Sequence, residues 1–210
     1  MYRIDILISG GGSLIPPVLE AAEEGRLPAH IGQVVADRPA APGLERARKL
    51  GLATRCVDRS EYPPGAVPSH GDALLEVLRR GVDGSNDGGP DLVVLAGFLS
   101  ILQGQILRDY WRRIINTHPA LLPAFGGRGM YGSKVHRAVI ASGEKRSGCS
   151  VHYVDAGVDS GEIIHRGEVE LSPRETAQSL ERKVRAIEGR ILVEAIEKVF
   201  ASWRGSGWEK

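Results

Sequence analysis

This chain has almost no cysteine: Cys56 and Cys149 are the only two in 210 residues. They lie too far apart in sequence for a zinc knuckle. Two lone thiols, read as buried and reduced, fit a cytoplasmic protein. Charge of one sign is also lacking. Lys+Arg number 27 against 26 Asp+Glu, a formal net charge of +1. Bulk charge therefore argues against a nucleic-acid or membrane-surface partner. No apolar run is long enough for a membrane span. The first residues, Met1 to Ile6, contain Asp5 and no apolar core, so they do not read as a signal peptide. There is no internal repeat. What remains is ordinary globular composition, 42% hydrophobic and 25% charged. The length fits one domain, or two tightly fused halves, with a real hydrophobic core.

The first half alternates short apolar runs with helical patterns. Strands are expected at Arg3 to Ile8, Ile31 to Ala36, Ala53 to Val57, Asp91 to Ala96 and Ile114 to Thr117. The run from Asp91 to Ala96 is continuously apolar after its first residue, as in a strand buried on both faces. Helices are expected at Pro16 to Glu24, Leu44 to Leu50 and Ala73 to Arg80. The Pro16-Pro17 pair sits in a first turn, where missing N–H groups are tolerated. This βαβ rhythm predicts a parallel sheet wrapped by helices. Beyond Pro123 the pattern changes. A glycine-rich loop, 125–132, precedes a helix at Ser133 to Ser142. Two strand-like runs follow, Ser150 to Val154 and Glu162 to Leu171. A last helix is expected from about Glu175 to Ala201, with Leu180, Val184, Ile187, Ile191 and Ala195 as one apolar stripe. Ser60 to Gly71 and Gly81 to Pro90 read as loops, and the tail from Gly205 as frayed.

The first strand runs directly into Ser9-Gly10-Gly11-Gly12-Ser13 and then a helix. Successive glycines let backbone N–H groups converge, and the helix adds its positive dipole end. That is physically a phosphate site. The third glycine of a dinucleotide fingerprint is missing, Ile15 standing in its place. No Lys-Ser/Thr follows, so it is no triphosphate loop either. Gly127 to Lys134 is a second near miss, with its lysine one place late. A monophosphate fits better than a dinucleotide or triphosphate. The loop also fits a tight strand-to-helix turn with no ligand.

Asn116-Thr117-His118-Pro119 is the most informative segment. Residues i and i+2 of a strand share a face. An amide donor and an imidazole would then stand together, beside a proline that stops the strand. With a carboxylate such as Asp159, they can hold a developing oxyanion, the hardware of acyl transfer. His118 also fits a structural histidine at a strand end, and Asp159 an ordinary turn residue. A metal site would have to join His118, His136, His152 and Asp159. No pair of these has the spacing of a helical zinc site.

Together these residues resemble the phosphoribosylglycinamide formyltransferases, the folate-dependent enzymes of purine synthesis. The resemblance is carried by 8–13, 43–48, 91–102, Asn116 to Pro123, 151–155 and 158–161, and so spans nearly the whole chain. Asn116 to Pro123 with Asp159 is specific to folate formyltransferases and their hydrolase relatives. The Ser-Gly-Gly-Gly-Ser loop narrows the match to the glycinamide ribonucleotide branch. The implied fold is α/β, a Rossmann-like doubly wound and mostly parallel sheet. It has about seven strands, antiparallel at the C-terminal end, flanked by helices. Residues 1–210 would form a single formyltransferase domain. Its phosphoribosyl-binding half is 1–100, and its catalytic and folate-binding half 101–210.

The resemblance implies formyl transfer from 10-formyltetrahydrofolate, a co-substrate, to the amine of glycinamide ribonucleotide, without a metal. It implies Asn116, His118 and Asp159 as catalytic residues: the Asn116 amide and a charged His118 imidazolium donate to the oxyanion, and Asp159 raises the pKa of His118 and takes the amine proton through water. It implies Gly11, Gly12, Ser13, Leu14 and Glu188 for the ribonucleotide. For the folate it implies Leu99, Ser100, Ile101, Leu102, Asn116, Asp155, Ala156, Gly157, Val158 and Asp159. Leu99, Ile101 and Leu102 fit plain core packing equally. The chain departs from the family where Leu14 replaces a common Asn and Ser100 a common Arg. The loop Ser60 to Gly71 also lacks an arginine that many members place near the folate tail. Expected partners are small molecules only, with no nucleic acid and no membrane, in a cytoplasmic monomer or homodimer. The rivals are a formyltetrahydrofolate hydrolase, a formyltransferase for tRNA or an amino sugar, and a non-catalytic nucleotide-binding module. The hydrolases usually carry an extra N-terminal domain and lack the glycine loop. The tRNA and amino-sugar enzymes usually carry an extra C-terminal domain.

Overall fold

Seven strands follow the order β3-β2-β1-β4-β5-β6-β7 in a computed structural model that describes residues 1–81 and 88–206. The strands are β1 (Tyr2–Ile8), β2 (Ala29–Ala36), β3 (Thr54–Cys56), β4 (Leu92–Leu95), β5 (Ile114–His118), β6 (Arg146–Tyr153) and β7 (Ile163–Glu170). The helices are α1 (Ile15–Glu23), α2 (Pro42–Lys49), α3 (His70–Arg80), α4 (Gln105–Asp109), α5 (Ser133–Ser142) and α6 (Ala177–Ser206). The mostly parallel α/β sheet with an antiparallel C-terminal end is the architecture expected. Contacts divide the chain into two units: Met1–Asn116 with Val154–Ala156, and Thr117–Tyr153 with Gly157–Lys210.

In the first unit β1 pairs in parallel with both β2 and β4, β2 with β3, and β4 with β5. The chain runs outward from β1 through β2 to β3, then returns to β4 on the other side of β1. The order therefore reverses between β1 and β4. In open α/β sheets such a switch point leaves a crevice at the carboxyl ends of the strands, where ligands bind. All four residues of β4 and six of the seven in β1 are buried, as parallel strands covered on both faces must be. Leu7, Val93, Leu74, Leu78, Ile106 and Ile114 are among the apolar residues of one core cluster. One charge pair is buried within the unit. Arg3 binds Asp5 through two nitrogens, each 3.0 Å from a carboxylate oxygen, and Gln33 Nε2 adds a third bond at 2.7 Å. These bonds offset the cost of burying both charges.

In the second unit β6 and β7 form an antiparallel pair. Along α6, Leu180, Val184, Ile191, Ala195, Val199 and Trp203 are buried, and Ile187 is half-buried. The stripe packs on β6, β7 and α5.

Several local details differ from the sequence expectation. α3 begins at His70, inside the expected loop Ser60 to Gly71. Ser69 Oγ accepts from the Asp72 N–H at 3.2 Å, and the Asp72 carboxylate accepts from the Ser69 N–H at 3.0 Å. This reciprocal cap satisfies two otherwise orphaned donors and starts the helix early. β6 starts at Arg146 rather than Ser150, because Arg146 to Cys149 pair with Glu170 to Gly167 despite weak strand propensity. α4 was not expected at all; five residues show no periodicity. α6 continues through Gly205 to Ser206, where a frayed tail was expected, and 207–210 lie outside the described residues. The expected loop Gly81 to Pro90 falls mostly on 82–87, also outside them. Both cysteines are free, but Cys56 is exposed on the edge strand β3, and only Cys149 is buried. Burial pushes the Cys149 thiol up to about 12, so it is inert at neutral pH.

Candidate active site

The loop after β1 carries four consecutive backbone N–H groups, of Gly11, Gly12, Ser13 and Leu14, that donate to no described group. The Ile15 N–H is taken by Gly12 O, and Pro16 and Pro17 have none. An anion here would be held by the loop rather than by the first turn of α1. Gly12 has φ +63°, and a Cβ on it would lie 2.6 Å from Ile15 Cδ1 and 3.1 Å from Gly43 Cα. Only glycine fits that conformation and that space. Gly11 and Ser13 are exposed. The Leu14 side chain is buried, so the departure from Asn leaves only its N–H for a ligand. Arg38, which the sequence reading did not single out, donates from Nε to Ser9 O and brings a guanidinium to the loop.

The segment after β4 is tied to this loop. Ser9 N–H donates to Gly97 O at 3.2 Å, and Leu99 N–H to Ser9 Oγ at 2.7 Å. Leu99 and Ile101 are 42% and 46% exposed, whereas Leu102 is buried in the core. Leu99 and Ile101 are thus not core residues, and Leu102 is. Ser100 Oγ donates to Asp37 at 2.7 Å, so its hydroxyl is already committed. Asp155 is half-buried and Ala156 exposed. At the end of β5, Asn116 is half-buried, pairs with Leu95 and stands two residues before His118.

The second unit brings His118 and Asp159 together. His118 Nδ1 is 3.4 Å from Asp159 Oδ2. Its Nε2 is 2.8 Å from Phe125 O, a group that can only accept. Gly127 N–H donates to Asp159 Oδ2 at 3.1 Å. Phe125 and Asp159 both have positive φ, 58° and 56°, a conformation that costs a bulky side chain such as Phe the most. Such backbone is held where surrounding contacts over-determine it, often at functional sites. A third side chain, His152 on β6, joins them. Its Nε2 is 3.6 Å from Asp159 Oδ1. The sequence offered no spacing that distinguished His152 from any other strand histidine. Gly157 is exposed and Val158 half-buried in the turn that carries Asp159.

Burial pushes the His118 imidazole below its ordinary value of 6.5. Asp159 and the Phe125 carbonyl oppose this without overcoming it. The expected rise from Asp159 is therefore present but outweighed, because His118 is 3% exposed. For Asp159 burial acts upward, but His152, the charge of His118 and the Gly127 N–H together bring the carboxyl below its usual 3.8. The pair is thus a carboxylate beside a neutral imidazole at pH 7.

Glu188, on α6, is half-buried, and its carboxylate has no hydrogen bond or ion pair with any described residue. Burial raises its carboxyl above the ordinary value. Among the described residues no group of three or more His, Cys, Asp or Glu is arranged to hold a metal ion. Nor is any described helix long and apolar enough to cross a membrane.

An α/β sheet with unpaired N–H groups at its switch point, and an imidazole–carboxylate pair following an amide donor, defines a group-transfer enzyme. The formyl transferase family model matches residues 2–196, and the chain belongs to that family. It is 32% identical over 210 residues to the chloroplastic phosphoribosylglycinamide formyltransferase of Arabidopsis thaliana, covering 98% of this chain and 68% of the plant protein. The Vigna unguiculata protein of the same name is 34% identical over 209 residues, and this chain spans 64% of its length. Glycinamide ribonucleotide transformylase 1 from Symbiobacterium toebii superposes with a TM-score of 0.82 at 38% identity, over 94% of this chain and 86% of that one.

Proposed function

We propose that this protein transfers a formyl group from 10-formyltetrahydrofolate to the amine of glycinamide ribonucleotide, a step of purine biosynthesis. The observation that carries the reading is the pair of buried His118, two residues beyond the amide of Asn116, and half-buried Asp159. The amine nitrogen attacks the formyl carbon, and the carbonyl electrons move to oxygen. The Asn116 amide donates to that oxyanion; one such donor is worth about 100- to 1000-fold in rate. The attacking nitrogen sheds a proton to His118 Nδ1, since Nε2 already carries a hydrogen toward Phe125 O. Asp159 stabilises the imidazolium as it forms. The carbon–nitrogen bond to the folate then breaks, and the leaving nitrogen takes the proton back. The products are the formylated amide and tetrahydrofolate.

In this reading residues 1–100 supply the phosphate loop and part of the pterin site, and 101–210 the catalytic residues, the rest of the pterin site and the ribose contact. The N–H groups of Gly11, Gly12, Ser13 and Leu14 take the phosphate. Glu188 accepts from the ribose hydroxyls, which a carboxylate does two at a time. Exposed Leu99 and Ile101, with Ser100, Leu102, Asn116 and the turn Asp155 to Asp159, take the pterin, which needs apolar walls and backbone polar groups. The two free thiols, Cys56 and Cys149, support a cytoplasmic setting. The test is an assay of purified protein with 10-formyltetrahydrofolate, with and without glycinamide ribonucleotide. Formylated product that needs both substrates supports the reading. Folate turnover indifferent to the ribonucleotide makes the protein a hydrolase instead.

A further inference from the structure

Two successive carbonyls at the start of the loop after β1 are held by the segment that follows β2. Arg38 donates from Nε to Ser9 O, and the Gly43 N–H donates to Gly10 O at 2.9 Å. A Cβ on Gly43 would lie 2.8 Å from Gly10 O and 3.0 Å from Gly12 N, so the two segments are in close contact. The next four N–H groups, of Gly11, Gly12, Ser13 and Leu14, donate to no described group. A run of free backbone donors has the character of an anion-binding nest. Arg38 adds a full charge to it. Only its Nε is engaged; Nη1 and Nη2 have no hydrogen bond or ion pair with any described residue. The carboxylate beside it in sequence, Asp37, is turned elsewhere. Its Oδ2 accepts from Ser100 Oγ at 2.7 Å and lies 3.4 Å from Arg59 Nη1.

Arg38 is half-buried. Its charge is partly withdrawn from water with no counter-ion among the described residues, a cost that a bound anion offsets. The bond from Nε to Ser9 O also fixes the plane of the guanidinium. The fork of Nη1 and Nη2 is then preorganised for a phosphate oxygen pair. A residue needed only to tie down Ser9 O could do so with a neutral donor. We propose that Arg38 binds the phosphate monoester of the ribonucleotide, its terminal nitrogens completing the site that the four N–H groups begin. The proposal rests on the reading of this loop as the phosphate loop. A monoester is a dianion above a second ionisation near pH ~6. One fixed positive charge beside neutral N–H groups favours that dianion over an uncharged or singly charged group of the same size.

The probe is ribose 5-phosphate, which carries the phosphate and the ribose without the reacting amine. Its Kd is measured by calorimetry for the wild type and for Arg38→Gln, which keeps a neutral N–H donor for Ser9 O and loses the charge. The variant should bind on the order of 10- to 100-fold more weakly, the scale of a lost charge-assisted hydrogen bond. A Kd within about threefold of wild type makes Arg38 a tie for the loop and overturns the proposal. A 31P NMR titration of the bound probe gives a readout that loosening of the loop alone would not move. The second ionisation of the phosphate should lie lower on the wild type than on the variant, because an opposite charge favours the dianion. Equal values overturn the proposal. If the variant does not fold, the wild type decides: the guanidinium 15N signals of Arg38 should move as ribose 5-phosphate is added, and signals that stay in place overturn it. A wild type that does not bind the probe sinks the proposal and the phosphate-loop reading together. Binding that depends on Arg38, in a protein that transfers no formyl group, sinks the proposed reaction and leaves this inference standing.

Discussion

Asp159 Oδ2 stands 3.4 Å from His118 Nδ1, and the Gly127 N–H donates to that same oxygen. The His118–Asp159 pair and the glycine-rich loop are therefore one structure. Loosening either end changes the other.

His118→Gln is expected to reduce kcat on the order of 100- to 1000-fold, the size of one lost transition-state contact. Far-UV circular dichroism should be unchanged. Adding Asp159→Asn should cost little more, since residues acting as a unit are not additive. Turnover within tenfold of wild type in His118→Gln removes it from the mechanism.

The pH dependence has a definite sign. Burial holds His118 below 6.5, so the neutral ring is in place at pH 7. The kcat profile should show an acid limb below pH 6.5. Asp159 acts upward on His118, so Asp159→Asn should move that limb lower still. A limb above 6.5, or an upward move in the variant, contradicts the assignment.

Stability should fall as acid is added below pH 6.5. His118 and His136 are both buried and both lowered from 6.5, so the unfolded chain takes up their protons first. A depressed imidazole pKa gives stability that is complete above the unfolded value and lost as pH drops through the window below it. His136→Gln should flatten the dependence of Tm on pH between 7 and 5. An unchanged slope excludes His136 as a contributor.

Gly11 and Gly12 should separate binding from folding. Gly12→Ala forces a side chain into φ +63° against Ile15 and Gly43, and should cost at least ~1–2 kcal/mol in thermal unfolding. At Gly11 a Cβ meets nothing within 4 Å, so Gly11→Ala should leave Tm nearly unchanged. It should still raise KM for the ribonucleotide, by crowding the approach of phosphate to the loop N–H groups. An unchanged KM means that the loop is only a turn.

Glu188→Gln should stabilise the free protein while weakening the ribonucleotide. Its carboxyl is raised by burial, so its ionisation opposes folding above the unfolded pKa, and the amide removes that penalty at pH 7. The same change removes acceptors from the ribose hydroxyls. Hydrogen bonds to charged groups contribute about 1.5–3 kcal/mol, an increase in KM of roughly tenfold or more. A higher Tm with unchanged KM would assign Glu188 to the scaffold alone.

Much of the fold was legible because its signals are local. α5 falls at Ser133–Ser142 as expected, and β4 lies inside the apolar run from Asp91 to Ala96. The early start of α3 was also local, in Ser69 and Asp72, but the pattern was hidden by the loop residues before it. The start of β6 was not legible. Ser147, Gly148 and Cys149 are strand only because β7 pairs with them. At the site, the Asn-x-His spacing and the glycine loop were readable. His152, Arg38 and the Phe125 carbonyl were not, because no spacing along the chain marks them.

The sequence by itself determined what depends on neighbours in the chain. It set the buried parallel strands, the sharp turn at Gly12 and the placing of Asn116 and His118 on one face of β5, since strand periodicity is local. Tertiary structure alone decided that Asp159 meets His118 and that His152 lies near the other carboxylate oxygen. It also decided that His118 is neutral rather than charged. An ionisation equilibrium follows the solvent and charges removed or supplied by packing, and those come from segments far apart in the chain.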